Sequence, residues 1–437
     1  AAVRGWAAGG AAAVARGAPR RHASSDAAAA HLKRASAAMG VVPDAPPARE
    51  IRKVGVIGGG LMGSGIATSL ALTGHHVLVK EVSREAADAG VGRIMDNVAR
   101  RVKAGRMTEE EFEAVKANVS GVTDYGDFSD RELVIESVVE LMPLKQQVFA
   151  EVQAAVPAAC VIATNTSSMD IPEIATPITD KSRVVGMHYF SPAHVMPLLE
   201  IVRTPDTSLQ TLSDALGVAR ASKKSPVVVG NCVGFALNRM FSFYMQVANL
   251  LVESGVSPYR VDKAAFDFGM PMGPYRMSDL AGVDVVRNAD KVIQAGFPYC
   301  FPSLLTETLV KAGRLGEKSG AGFYDFSKGA RTASEDEAAI APLLDAARTA
   351  ARTRNPRLAS APEYTDAELV ELMMFPVVNE AYRIVEEGNA ASYGDLDVAS
   401  VLSYGWPAST GGPMFWAEVK HLKHVVATLK EAHGVFG

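Results

Sequence analysis

Cysteine is rare in this chain of 437 residues, and the net charge is negative rather than positive. The three cysteines are widely spaced and form no CxxC pair, which argues against a disulfide framework and a zinc site, so no metal is expected. A net charge of −4 argues against nucleic-acid binding, because phosphates are recognised by basic surfaces. No apolar run reaches about 18 residues, so no membrane span is predicted.

Acidic side chains are nearly missing from the N-terminal segment, residues 1–49. In residues 1–40 alanine dominates, and six Arg and Lys residues stand against one acid, Asp26. This composition is typical of an organelle transit peptide, with a disordered linker from a longer protein as the alternative. The C-terminus carries no peroxisomal S-K-L address. We therefore predict the mitochondrial matrix as the location, with the peroxisome or a plastid as alternatives.

Short β-branched runs alternate with helical periodicity between residues 50 and 229. The first run, residues 54–57, leads into the loop Gly58-Gly59-Gly60-Leu61-Met62-Gly63 and then into a predicted helix over residues 64–73. Further strands are predicted at residues 77–79, 133–136, 160–163, 183–190, 197–203 and 227–229. Such alternation of strands and helices predicts an α/β, Rossmann-like domain.

The remainder of the chain is predicted to be mainly α-helical, and it contains a series of motifs that occurs twice in the same order. The order Leu251-Val252-Glu253-Ser254-Gly255, Val261-Asp262-Lys263-Ala264, Gly269, Gly273-Pro274 returns later as Ile384-Val385-Glu386-Glu387-Gly388, Leu396-Asp397-Val398-Ala399, Gly405, Gly412-Pro413. We predict two tandem related repeats, at residues 230–327 and 364–437, joined by a polar linker over residues 328–363 that contains one helix near residues 335–352.

The glycine loop has the spacing GxGxxG and lies between a strand and a helix, as a dinucleotide site requires. Gly58 permits the tight turn, Gly60 lets the backbone approach a pyrophosphate, and Gly63 lets the helix pack closely on the strand. Leu61 and Met62 lie within the loop, and the unpaired N–H groups at the start of the following helix would face the phosphates. The loop therefore predicts dinucleotide binding.

Glu81 indicates which dinucleotide is bound. It lies 18 residues beyond Gly63, at the end of the second predicted strand. A carboxylate there accepts hydrogen bonds from the adenosine ribose and repels a 2′-phosphate. We therefore predict NAD rather than NADP.

A histidine and a glutamate lie on two strands that are predicted to be neighbours. His188 is near the end of one strand, and Glu200 follows twelve residues later on the returning strand. A carboxylate beside an imidazole fixes its tautomer and stabilises the imidazolium, which makes the histidine a better base toward an alcohol. A histidine at a strand end is also common as a structural residue, so the pair alone leaves both interpretations open.

Four motifs in order favour the catalytic interpretation: the glycine loop, Ala163-Thr164-Asn165-Thr166-Ser167-Ser168, Gly186-Met187-His188-Tyr189-Phe190-Ser191-Pro192 and Gly234-Phe235-Ala236-Leu237-Asn238-Arg239. With them the chain resembles the 3-hydroxyacyl-CoA dehydrogenase family, most closely the dehydrogenase part of multifunctional fatty-acid β-oxidation enzymes, from about Arg52 to about Lys420. The resemblance implies NAD-dependent oxidation of (S)-3-hydroxyacyl-CoA to 3-ketoacyl-CoA, with His188 as general base and Glu200 as its partner.

The resemblance also implies roles for other matching residues. Ser167 would hold the substrate oxygen near the nicotinamide, and Asn238 would close the site from the other side. Glu140 and Lys145 would lie beside the cofactor. From the residues alone, Ser167 could equally cap a turn or a helix, Asn238 could simply begin a helix, and Glu140 and Lys145 could form a solvated pair.

The chain departs from the multifunctional pattern before the glycine loop. About 50 residues precede the loop, too few for an enoyl-CoA hydratase domain. We therefore expect that activity to be absent, and a hydratase or thiolase is a candidate partner. Single-function members usually carry one helical unit and dimerise through it, so two repeats leave monomer and dimer both open.

Two alternative functions remain open. One is a non-catalytic NAD-binding subunit of a β-oxidation assembly. The other is a dehydrogenase of small hydroxy acids, although such enzymes usually use a lysine base.

Overall fold

The computed structural model describes residues 25–297, 299–329 and 332–436, which separate into an α/β unit and a helical unit. The α/β unit comprises residues 37–235 and 389–391. The remaining residues belong to the helical unit, so the boundary falls slightly after the predicted one at residue 229. In the described part of the chain, no helix is both long enough and apolar enough to cross a membrane.

Residues 1–24 of the predicted transit peptide or linker lie outside the described residues. They are followed by helix α1 (Ser25–Ala38), most of which belongs to the helical unit. There His31 Nε2 lies 2.8 Å from Asp397 Oδ2, and Asp397 is buried. The disordered-linker alternative is therefore wrong for α1, because the helix makes a specific contact with a distant part of the chain.

The strands of the α/β unit are β1 (Lys53–Ile57), β2 (His76–Lys80), β3 (Val119–Val122), β4 (Leu133–Glu136), β5 (Val161–Thr164), β6 (Val184–Tyr189), β7 (Leu198–Arg203) and β8 (Ser225–Gly230). Among the described residues they form one eight-stranded sheet in the order β3-β2-β1-β4-β5-β6-β7-β8. Strands β1 to β6 are parallel, whereas β7 runs antiparallel to β6, and β8 is parallel to β7. The carboxyl ends of six strands therefore meet at one edge, where open α/β sheets bind ligands.

The apolar runs of the sequence form the centre of this sheet. β4, β5 and β6 are buried along their whole length, as expected for strands covered on both faces. β3 is the strand that the sequence pattern does not predict. Only the first of its four residues, Val-Ser-Gly-Val, is buried. The sequence therefore lacks the alternation of apolar and polar residues by which a strand is recognised.

The helices of the α/β unit are α2 (Leu61–Ala71), α3 (Arg84–Lys103), α4 (Glu109–Ala117), α5 (Met142–Ala155), the single turn α6 (Ile171–Ile174) and α7 (Leu209–Ala221). The sequence of residues 84–116 predicts two charged amphipathic helices joined near Gly105, and these helices are confirmed as α3 and α4. Gly105 has a φ of +65°, and Thr108 begins α4 with a capping box that includes Glu111. These local signals place the break where the sequence predicts it.

The helical unit contains α8 (Leu237–Ser254), α9 (Pro258–Phe268), α10 (Pro274–Ala281), α11 (Val283–Gly296), α12 (Leu305–Lys311), α13 (Glu337–Arg354), α14 (Asp366–Glu386), α15 (Tyr393–Ser403), α16 (Pro413–Val419), α17 (Leu422–Phe436) and the short strands β9 (Tyr324–Asp325) and β10 (Ser334–Glu335). The longest helix of this unit, α14, packs against α8. The prediction of a mainly helical second domain is confirmed.

The segment predicted as a polar linker, residues 328–363, contains the packed helix α13. Its buried residues, Ile340, Leu344, Ala347 and Ala351, recur every three or four positions and form one apolar face. This face packs on α8. The helix expected near residues 335–352 is therefore confirmed as α13, because a narrow stripe of apolar residues is enough to bury a helix whose other faces are charged.

Two buried aspartates make corresponding contacts in the two predicted repeats. Asp262 of α9 accepts two hydrogen bonds of 2.8 Å from backbone N–H groups in the first turn of α10. Asp397 of α15 accepts two, of 2.7 and 3.3 Å, from the first turn of α16. A Cβ on Gly273 or Gly412, the glycines before these helices, would come within 2.3 and 2.4 Å of the respective aspartate. Both glycines are therefore needed for the close approach.

Candidate active site

His188 and Glu200 face each other across strands β6 and β7, where they are register partners. His188 Nδ1 lies 2.6 Å from Glu200 Oε2, so the contact predicted from the strand order is present. Glu200 is fully buried and His188 is 6% exposed. An ionised carboxylate can only accept, so Nδ1 carries the hydrogen and Nε2 is the nitrogen that can take up a proton.

Two phenylalanines surround the imidazole with apolar surface. The ring centroids of Phe190 and Phe235 lie 4.7 and 5.7 Å from that of His188. Phe235 adopts a φ of +50°, next to Gly234 at +73°, and this turn directs the chain back toward the strand that carries His188. A water-poor surrounding strengthens the interaction of the histidine with its carboxylate partner.

Lys224 holds the loop that follows His188, and the sequence analysis did not single it out. Its Nζ donates to the carbonyl oxygens of Ala193 at 2.6 Å and Met196 at 2.8 Å. Burial lowers the pKa of Lys224 to about 8. A single lysine before an apolar strand forms no recognisable motif, so only the folded loop identifies its partners.

The turn after β5 carries Ser167 and is tied to the strand of His188. Asn165 Oδ1 accepts a hydrogen bond of 2.9 Å from the backbone N–H of Tyr189. The backbone N–H of Ser167 donates to Glu140 Oε1 at 3.1 Å, and the Ser167 side chain is half-buried. Neighbouring strands therefore bring the serine turn, Glu140 and the histidine to the same edge of the sheet.

A buried ion pair lies beneath this turn. Lys145 Nζ lies 2.7 Å from Glu136 Oε1 and 3.5 Å from Glu140 Oε2. Thr164 Oγ1 donates to the other oxygen of Glu136 at 2.7 Å. Lys145 is 1% exposed, so the alternative of a solvated pair with Glu140 does not hold for its ammonium group. Glu136 was missed as a site residue, although a carboxylate that ends an apolar strand was a visible signal.

The glycine loop has the geometry that its spacing predicts. Gly58 has a φ of +94°, and a Cβ there would meet the Ser137 carbonyl oxygen at 2.5 Å. A Cβ on Gly63 would lie 1.7 Å from the Gly58 carbonyl oxygen, so only glycine lets α2 pack on the turn. Gly60 is the N-cap of α2, and no heavy atom lies within 4 Å of the position of its missing Cβ. This open space before a helix N-terminus suits a phosphate.

Leu61 and Met62 form the first turn of α2. Leu61 is 74% exposed, and Met62 is half-buried against the core of the sheet. An exposed leucine at the N-terminus of a helix provides apolar surface that a ligand can cover.

Glu81 is fixed at the end of β2 by the glycine loop itself. Its Oε1 accepts a hydrogen bond of 2.6 Å from the backbone N–H of Gly59. An adjacent cleft with an empty volume of about 880 Å³ is lined by Gly60, Glu81 and the exposed side chains of Val82 and Val139, among others. Open glycine backbone, a fixed carboxylate and apolar walls fit a dinucleotide, with the ribose near Glu81.

Asn238 lies in the helical unit, in the first turn of α8, and is half-buried. Its Oδ1 accepts a hydrogen bond of 2.5 Å from the Tyr404 hydroxyl. Tyr404 was also missed by the sequence analysis, because 166 residues separate it from Asn238 and no local pattern connects them.

Known sequence families match both units of the chain. Residues 53–232 match the family profile described as 3-hydroxyacyl-CoA dehydrogenase, NAD binding domain, and residues 234–326 match its C-terminal domain. The prediction of an NAD-binding α/β domain is thereby confirmed. The C-terminal match covers the first predicted repeat.

Individual relatives extend the similarity over most of the chain. The glyoxysomal fatty acid beta-oxidation multifunctional protein MFP-a of Cucumis sativus is 43% identical over 401 residues, 91% of this chain and 54% of that protein. The peroxisomal bifunctional enzyme of Danio rerio is 36% identical over 401 residues, 88% of this chain and 54% of that protein. The chain thus spans about half the length of these curated relatives.

A solved structure is similar to most of the chain. The 3-hydroxybutyryl-CoA dehydrogenase of Escherichia coli is 27% identical, with a TM-score of 0.75 over 88% of this chain and 96% of that one. The family profiles, the relatives and this structure agree with the family that the four motifs indicate. The chain belongs to the 3-hydroxyacyl-CoA dehydrogenase family.

Proposed function

We propose that this protein oxidises the 3-hydroxyl group of (S)-3-hydroxyacyl-CoA with NAD, giving 3-ketoacyl-CoA and NADH in fatty-acid β-oxidation. The observation that carries the proposal is the buried contact of 2.6 Å between His188 and Glu200. It lies at the strand ends where the serine turn is also held. An acid–base pair in that position is what oxidation of an alcohol requires.

His188 acts as the general base in this mechanism. Nδ1 donates to Glu200, so Nε2 accepts the hydroxyl proton of the substrate while the hydrogen on C3 leaves as hydride. Glu200 stabilises the imidazolium that forms and keeps the ring in its orientation. Bound NAD supplies the hydride acceptor, C4 of its nicotinamide.

The other predicted residues bind and position the reactants. The Ser167 hydroxyl holds the substrate oxygen, and Glu140 fixes the serine turn through the backbone N–H of Ser167. Lys145 supports Glu140 from inside the unit. Asn238 binds the substrate with its side-chain amide, which has both donor and acceptor groups.

We propose, too, that the helical unit is a tandem duplication of residues 230–327 and 364–437. The equivalent aspartate–glycine–helix contacts at Asp262 and Asp397 support this. A second unit in the same chain would take the place of a dimer partner. Sedimentation at micromolar concentration distinguishes a monomer from a dimer.

The names of the relatives favour a peroxisomal location over the predicted mitochondrial matrix. The Cucumis sativus relative is named as glyoxysomal and the Danio rerio relative as peroxisomal, and neither supports a mitochondrial matrix protein. We propose the peroxisome, with a hydratase or thiolase as a candidate partner in the same reaction sequence. Fluorescent fusions at either end of the natural protein would test the location.

The function is tested by NADH oxidation with the purified protein. Acetoacetyl-CoA and then 3-ketoacyl-CoAs of increasing chain length should each reoxidise NADH, and the length profile gives the acyl preference. Free 3-keto acids of the same length, which lack the CoA group, serve as controls and should be inactive. Tight NADH binding without turnover of any CoA thioester would instead support the alternative, a non-catalytic subunit.

A further inference from the structure

Tyr404 makes two contacts with helix α8. Its hydroxyl donates to Asn238 Oδ1 at 2.5 Å. Its ring stacks on Phe241, one turn further along α8, with centroids 3.8 Å apart and planes inclined by 23°. The stacking fixes the ring and the hydrogen bond fixes the hydroxyl, so Tyr404 and the first turn of α8 hold each other in one arrangement.

A side-chain amide needs such a contact in order to present one defined face. Its terminal torsion has a broad, nearly two-fold preference, and its oxygen and nitrogen have opposite hydrogen-bonding roles. A hydroxyl that donates to Oδ1 sets the plane of the Asn238 amide and directs the Nδ2 hydrogens away from Tyr404. The orientation is then determined before a substrate arrives.

We infer that Tyr404 is a positioning residue for the proposed reaction: the second repeat supplies it to orient the Asn238 amide of the first repeat for the acyl-CoA substrate. The inference rests on the proposed function. It gives the second repeat, in which no base has been identified, a part in the reaction that acts through Asn238.

The comparison of the two repeats supports this assignment. Tyr404 precedes Gly405 just as Phe268 precedes Gly269, so the corresponding residue of the first repeat has a ring and no hydroxyl. Phe268 is half-buried and packs edge-on against Trp406 and Trp416. The hydroxyl is therefore a property of the second repeat and not of the shared fold.

The other half of the pair differs between the repeats as well. When Leu251-Val252-Glu253 is aligned with Ile384-Val385-Glu386, Asn238 corresponds to Glu371. Glu371 contacts Lys420 and His424 at 3.1 and 2.7 Å, an arrangement of charges without a tyrosine. The first repeat thus contains the asparagine of the pair and the second contains the tyrosine.

The test is a double-mutant cycle with Tyr404→Phe and Asn238→Ala, assayed with acetoacetyl-CoA and NADH. Tyr404→Phe keeps the ring that stacks on Phe241, so it should fold and bind NADH normally, while kcat/KM for the thioester falls about 10- to 100-fold. In the Asn238→Ala background the same change should have no further effect, because its target is gone. Tyr393→Phe, at the other end of α15, is the matched control and should be unchanged.

Several outcomes overturn the inference. Unchanged kcat/KM in Tyr404→Phe would show that the hydroxyl is unnecessary, and losses that multiply in the double variant would show that Tyr404 acts independently of Asn238. Tyr404→Leu separates packing from orientation: a purely structural role predicts lost activity only in the Leu variant, whose melting temperature falls. An inactive wild-type protein would remove the proposed function and the inference together, which the wild-type assay reveals first.

Discussion

At the scale of single residues, one contact of 2.6 Å determines which nitrogen of His188 can act as a base. Glu200 is fully buried and opposite His188 in the strand register, so neither side chain can turn away without breaking a hydrogen bond of a buried carboxylate. The pair is therefore fixed in the ground state, and the reaction requires no rearrangement of it.

Replacing His188 with Gln should abolish turnover and leave NADH binding nearly intact. Glutamine can still hydrogen-bond Glu200 but cannot take up the substrate proton, so a loss of kcat of about a hundred- to ten-thousand-fold is expected. Steady-state NADH oxidation and NADH fluorescence titration measure the two effects. His76→Gln, at an exposed position of β2, is the control. Turnover within a few-fold of wild type would remove His188 as the base.

Replacing Glu81 with Gln should weaken the preference for NADH over NADPH. The carboxylate is held against the glycine loop by the Gly59 N–H, and its charge would repel a 2′-phosphate at that place. The ratio of kcat/KM for NADH to that for NADPH should fall by about tenfold or more, since one charge repulsion is lost. Glu113→Gln, on the exposed face of α4, should leave the ratio alone. An unchanged ratio in Glu81→Gln would contradict the ribose role.

At the scale of secondary-structure elements, His31 of α1 contacts two residues of the helical unit. His31 contacts Asp397 at 2.8 Å, and its ring stacks on Phe415 with centroids 4.6 Å apart. The corresponding aspartate of the first repeat, Asp262, instead accepts from the Tyr324 hydroxyl at 2.9 Å. Each aspartate therefore has a third partner from an element outside its own helix pair.

His31→Ala should destabilise the helical unit by about 1–3 kcal/mol, because Asp397 loses a hydrogen-bond partner inside the unit. The expected signs are a lower melting temperature and faster proteolysis within α1. Lys33→Ala removes an exposed side chain from the same helix and should change neither. If both variants melted like the wild type, the contact would have no measurable share in stability.

At the scale of the whole molecule, buried carboxyl groups make stability depend on pH, and Glu253 is one of them. Glu253 is fully buried in the last turn of α8. Its Oε1 accepts a hydrogen bond from Ser303 Oγ at 2.8 Å, whereas Oε2 has no partner among the described residues. Burial raises the pKa of Glu253 to about 7, and the hydrogen bond from Ser303 opposes this. The folded protein therefore holds a proton that the unfolded chain, with an ordinary carboxyl pKa, has already released.

The free energy of unfolding should accordingly fall as the pH rises from about 4.5 to about 7, since the folded state binds more protons in that window. The full effect of Glu253 is about 3 kcal/mol at most. Glu253→Gln should flatten this part of the profile, measured by urea unfolding between pH 5 and pH 8, whereas Glu363→Gln, which is exposed, should follow the wild type. Parallel curves for wild type and Glu253→Gln would contradict a protonated Glu253.

The sequence by itself determined the features that depend on near neighbours along the chain. The glycine loop, the strands around it and the break at Gly105 follow from backbone conformations that few residues tolerate. The contact of His188 with Glu200 was also predictable, because only 12 residues and one strand return separate them. The resemblance in turn depended on the order of four local motifs.

Only the tertiary structure decided the contacts between distant segments. Glu136 meets Thr164 across 28 residues, Asn238 meets Tyr404 across 166, and His31 meets Asp397 across 366. The burial of α13 against α8 belongs to the same class. The physical reason is that local backbone preferences act over a few residues, whereas these contacts exist only after apolar faces have packed and the buried polar groups have found partners.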